Sequence, residues 1–110
     1  GLRNRLLQAN RLEEQIQKNL FIARSFIESG FLTEPPNANA VEALRSVQRL
    51  DSDNEEANLL LDEIARKLAS IAERAWEAGF QLDAVKYINL ALALDAERED
   101  WKRWKTEWER

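Results

Sequence analysis

Leu50-Asp51-Ser52-Asp53-Asn54-Glu55-Glu56-Ala57 returns in outline as Leu94-Asp95-Ala96-Glu97-Arg98-Glu99-Asp100-Trp101, a shift of 44 residues from position 50 to position 94. A self-similarity of that period is the mark of stacked supersecondary units. Ahead of each copy lies a short apolar helix. Ahead of each short helix lies a longer one closed by Gly-Phe, at Gly30-Phe31 and at Gly79-Phe80. The unit reads as long helix, Gly turn, short helix, Leu-Asp turn. It occurs twice, and a fifth helix opens a third copy.

The helices follow from spacing and punctuation. Leu12, Ile16, Leu20, Ala23 and Ile27 stand four, four, three and four apart, which draws one stripe on a helix. Leu2, Leu6 and Ala9 carry the same stripe backwards, so the first helix is expected to be very long and loosely attached before about Gln15. A neighbouring chain would cover its apolar edge. Gly30 reads as its left-handed stop. Phe31 to Ala40 holds Pro35, Pro36, Asn37 and Asn39 and reads as a loop. Asn39 with Glu42 forms a capping pair for a second helix, with Val41, Leu44, Val47 and Leu50 along it. Ser52 to Glu55 has a capping-box pattern that opens a third. Its stripe is Leu60 or Leu61, Ile64, Leu68, Ile71, Ala72, Ala75 and Trp76, stopped by Gly79. A fourth runs from about Gln81 to Leu94, and a fifth from beyond Asp95 to the end. Strict apolar/polar alternation is missing and β-branched residues are sparse, so no strand is expected.

At these residues the chain resembles the tetratricopeptide repeat family. In the second repeat Ala72, Gly79, Ala84, Ile88, Ala91 and Leu94-Asp95 fall at the family's small, Gly, small, large, small and turn places. In the first, Ala23, Gly30, Ala40, Leu44, Val47 and Leu50-Asp51 do so. The turn Pro of the family is replaced by Ser52 and Ala96, and the large aromatic early in the first helix of the pair is absent. The first interhelical turn and the second long helix are both longer than in the family. The resemblance covers residues 16 to 110. It implies an all-α helical-repeat array of two extended helix pairs plus a terminal helix. The first repeat is 16–52 with a helical extension 1–15, the second 53–96, and the terminal helix 97–110. The segment Leu32-Thr33-Glu34-Pro35-Pro36-Asn37-Ala38-Asn39-Ala40 resembles a variant in bacterial envelope proteins. That implies a bacterial periplasmic setting, with the cytoplasm as the alternative.

The same resemblance implies a non-enzymatic protein–protein interaction module that holds a partner protein or peptide on its concave helical surface. Carried over by position, the ligand-facing residues are Gln17, Leu20, Arg24 and Glu28 on the first long helix. On the second they are Arg66, Ala69, Glu73, Trp76 and Glu77, and on the terminal helix Asp100, Arg103 and Glu107. The family's clamp for a C-terminal carboxylate is not present, because Leu20 and Arg24 occupy its places. Trp101, Trp104 and Trp108 fall on one arc of the last helix and read first as a core face, second as an interface, since Trp dominates binding hot spots. The alternative function is self-association, in which the amphipathic run Leu2 to Ile27 and the Trp helix pair with copies of themselves.

Composition bounds the chemistry. At 110 residues the chain is one domain at most. Hydrophobic residues at 45% and charged ones at 33% suit a folded chain rather than a disordered one. There is no Cys, His or Met. Disulfides, thiolate chemistry, the usual zinc sites and a Ser-His-Asp triad are thereby excluded. Without an initiating Met, the chain reads as a piece of a larger protein. A net charge of −4 with both signs interleaved gives no basic stripe for nucleic acid. The longest apolar run, Leu90 to Leu94, is far short of a membrane span, so no membrane insertion is expected. Asp51, Asp53, Glu55 and Asp62 match a calcium-loop spacing, but Glu56 stands where that loop needs Gly and Asp62 where it needs Glu. The segment reads instead as a helix start with acidic residues on its dipole. Adjacent acids such as Glu55-Glu56 point apart on a helix, so neither catalysis nor a cofactor is expected.

Overall fold

The computed structural model describes residues 1–110. It is all helix and turn: α1 (Leu2–Ser29), α2 (Ala40–Leu50), α3 (Glu55–Glu77), α4 (Gln81–Leu94) and α5 (Glu99–Trp108). The chain divides into two compact units, Gly1–Leu60 and Leu61–Arg110, and the division falls inside α3. No helix is long and apolar enough to cross a membrane.

The 44-residue shift survives in three dimensions as a shift of hydrogen bonds. α2 ends at Leu50 and α4 at Leu94, while α3 begins at Glu55 and α5 at Glu99. After each short helix an Asp closes the last turn. The Asp51 N–H donates to the Val47 carbonyl and the Asp95 N–H to the Ala91 carbonyl. The next turn is also shared, with Asn54 N–H on the Asp51 carbonyl and Arg98 N–H on the Asp95 carbonyl. Ala57 and Trp101, at equivalent places, are both buried.

The Gly turns repeat in the same way. Gly30 has φ 82° and Gly79 φ 88°, conformations that a Cβ disfavours. After α1, Gly30 N–H reaches the Ile27 carbonyl and Phe31 N–H the Phe26 carbonyl. After α3, Gly79 N–H reaches Trp76 and Phe80 N–H reaches Ala75. Both are Schellman turns, which satisfy carbonyls that the helix end would leave bare. Such a turn favours an apolar contact across it. Phe31 finds one in Phe26, ring centroids 6.4 Å apart. At the equivalent place in the second turn Ala75 stands where Phe26 does in the first, and Phe80 stays exposed.

In the first unit α1 packs on α2. Its buried residues are Ile16, Leu20 and Ala23, against Ala40, Ala43, Leu44 and Val47. The expected ladder on α2 is displaced, because Val41 and Leu50 are only half-buried while Ala40 and Ala43 take the core side. Leu12 is exposed, so the packed part of the α1 stripe starts at Ile16. Asn39 caps α2 by accepting the Glu42 N–H on Oδ1, at 3.0 Å, and donates from Nδ2 to the Pro35 carbonyl. It is the one buried polar side chain of the molecule. The Glu34–Pro35 bond in this loop is cis. α3 is capped by Asn54, whose Oδ1 accepts the Ala57 N–H at 2.9 Å, rather than by Ser52. Ser52 is held out by the Asp51 turn, in which the Asp51 carboxylate takes the Asp53 N–H.

In the second unit α4 packs on α5. Leu68, Ala69 and Ala72 of α3, Ala84, Ile88 and Ala91 of α4, and Trp101 of α5 are buried. Four of these seven are Ala, which lets helix backbones approach closely.

Candidate interaction surfaces

Each unit presents the polar face of a long helix, and the side chains on it are held mainly by neighbours on the same helix. On α1, Gln17 donates to Glu13 one turn back, at 3.0 Å. Arg24 leaves that face to pair with Glu56 at the start of α3. Both partners are nearly half exposed, so the pair is worth well under about 1 kcal/mol. Glu28 is exposed in the last turn of α1. Leu20, which the resemblance places on this face, is buried, because it lies one turn beyond Ile16 on the side that α2 covers.

On the second unit, Arg66 pairs with Asp62 at 2.8 Å and stays well exposed. Glu73 and Glu77 are exposed. Ala69 is buried in the core, not open. Trp76 is half-buried and stacked on Trp108, centroids 5.1 Å apart and planes within 12°. Trp104 continues the stack at 5.7 Å from Trp108. Offset stacking of indoles at this distance is attractive beyond the area it buries. Three of the four Trp therefore form one ladder that ties α5 to α3. The fourth, Trp101, is buried, with the Arg98 guanidinium 4.2 Å over its ring. The Trp arc of α5 thus faces its own unit, and sequence spacing had no means of finding its partner Trp76 on α3.

Arg103 lies on the outer side of α5, in a shallow depression with Lys102, Thr106, Glu107 and Arg110. Lys102 is paired with Glu99 at 3.0 Å. The hydrogen bond to Glu99 and then its charge hold the Lys102 pKa above the ordinary value.

One surface was not singled out by the sequence. A polar groove of about 210 Å³ runs between α1 and α2, lined by Asn19, Asn37, Asn39, Glu42 and Ser46 with Ile22, Phe26 and Ala43. Its signal was the run of Asn at 37 and 39, read only as loop and cap. The apolar edge of α1 that the sequence leaves to a neighbouring chain is bare at Leu2, Leu6, Leu7 and Leu12, and in the second unit Phe80 and Leu82 at the head of α4 are bare as well.

The acidic cluster is a helix start. Asp51 takes the Asp53 N–H and the Asn54 side-chain amide, and Glu55 begins α3. No group of three or more acidic side chains converges as a metal site. Comparison with protein-family models, with curated proteins and with solved structures finds no match to this chain.

Proposed function

We propose that this chain is a non-enzymatic protein–protein interaction module of tetratricopeptide-like design. It holds an extended segment of a partner protein against the polar faces of its long helices. The observation that carries the reading is the recurrence of one turn grammar, with left-handed Gly30 and Gly79, and Asp51 and Asp95 closing the short helices, at matching places. Such repeats are scaffolds that display surfaces rather than enclose reaction centres. The contact groups are Gln17 and Glu28 on α1, Arg66, Glu73 and Glu77 on α3, and Arg103 on α5. Arg24 and Trp76 contribute by holding neighbouring helices. A few Arg anchors at such a surface carry most of the binding energy. The partner is a protein, not a nucleic acid, and the bacterial periplasm is the setting that the loop resemblance favours.

The test is selection of a random-peptide display library on the whole chain, followed by titration of the recovered peptides. Arg66→Ala and Arg103→Ala should weaken binding, each by about tenfold or more, with helicity unchanged. Arg49→Ala, an exposed change on α2, should not. Equal binding to all three variants would contradict the reading. Trp76→Ala is unsuitable as a binding probe, since it breaks the indole ladder.

A second reading is self-association. The bare leucines on the first half of α1 favour it specifically.

A further inference from the structure

Residues 1–15 are all exposed, yet α1 is one unbroken helix from Leu2 to Ser29. An isolated helical stretch of this length is marginal in water unless something packs on it. The seam that packs on α2 holds Ile16, Leu20, Ala23 and Ile27, spaced four, three and four. Continued backwards in the same alternation it reaches Glu13, Ala9, Leu6 and Leu2. That is the seven-residue pattern of a coiled coil, sustained from 2 to 27 with Glu13 as its single charged member. The rear half of the seam is covered by α2. The front half is bare, with Leu2 77% and Leu6 60% exposed and Leu12 on its edge at 40%.

Charge says what fits there. Arg3 and Arg5 are followed by Glu13 and Glu14, so the part of this half-helix that borders the seam is basic at its start and acidic at its end. A parallel copy would set Glu13 against Glu13 inside the seam and the Arg side chains against each other. An antiparallel copy sets the basic start of one helix beside the acidic end of the other. In the seam Leu6 then lies beside Ala9 near the two-fold axis, where a small residue lets the helices approach, and Leu2 lies beside Glu13, whose carboxylate is brought to the basic start of the other copy.

We propose, resting on the self-association reading above, that the first half of α1 is a docking face for a second copy of this chain. The two helices pair antiparallel over Leu2–Gln15, an overlap of about 21 Å. Three leucines and an alanine from each copy bury less than the roughly 1,200 Å² of a standard stable interface, so the dimer is weak and concentration-dependent.

The chain has no Cys, so single cysteines report the pairing cleanly. Light scattering on the whole chain should rise from the monomer mass of 12.8 kDa towards twice that with concentration. Leu6→Glu should hold it at the monomer mass with far-UV circular dichroism retained. Under mild oxidation Ala9→Cys should cross-link. Leu2→Cys should not, because an antiparallel mate lies far beyond the roughly 7 Å Cα limit of a disulfide. Arg11→Cys, on the opposite side of the helix, should not either. A monomer mass at every concentration would overturn both this pairing and the self-association reading. A rising mass with Leu2→Cys cross-linking as readily as Ala9→Cys, or a rise that survives Leu6→Glu, would overturn the antiparallel α1 pair alone.

Discussion

At Gly30 and Gly79 the backbone turns left-handed into open space, so a Cβ built at either meets no atom within 4 Å. Replacing either by Ala therefore carries only the conformational cost, about 1–2 kcal/mol, visible as a lower urea midpoint with unchanged slope. Asn should be tolerated better than Ala at either, as Asn37 already holds φ 67° in the loop after Gly30. Asn39 is the more sensitive position. Its amide serves the Glu42 N–H and the Pro35 carbonyl at once, and it is buried. Asn39→Ala should cost about 2 kcal/mol or more, whereas Asn39→Asp keeps the cap and loses the bond to Pro35. The glycines and this cap were legible in the sequence because each depends on a few adjacent residues. The start of α3 was less so. Ser52, Asp53 and Asn54 are all competent caps in a row, and the choice of Asn54 is made by the turn that Asp51 closes.

Between elements, length decides what periodicity leaves open. α1 is about 42 Å long and α2 about 16 Å, so α2 can cover only part of the α1 stripe. Spacing told which side of α1 is apolar but not how far a neighbour extends along it, which is why Leu12 belongs to the stripe yet lies outside the core. The Trp ladder is the opposite case. Trp104 and Trp108 share an arc that the sequence displays, while their third member, Trp76, sits on another helix. Trp108 is the middle of the stack, so Trp108→Ala removes both ring contacts. It should lower stability by about 2 kcal/mol, less than for a fully buried Trp, and abolish the near-ultraviolet circular dichroism of the coupled indoles. Trp104→Ala, which removes one contact, should have the smaller effect. If the two variants behave alike, the ladder does not hold α5 in place.

Over the whole molecule, five helices and their order follow from the punctuation of two glycines, two prolines and a 44-residue echo. What the sequence placed less well are the surfaces. Leu20 and Ala69 lie inside, and Trp76 is engaged with Trp108, because positions carried over from a resemblance do not include the rotation of each helix against its neighbours. Gln17, Glu28, Arg66, Glu73 and Glu77 of the long helices and Arg103 of α5 are exposed. The most direct measurement is an amide chemical-shift map of the isotope-labelled chain titrated with a peptide recovered from the display selection. The account predicts shifts along α1 from Gln17 to Glu28, along α3 from Arg66 to Glu77 and around Arg103. Shifts confined to Leu2–Leu12 or to the turn at Phe80–Leu82 would contradict it, and would make the bare apolar faces the binding surface instead.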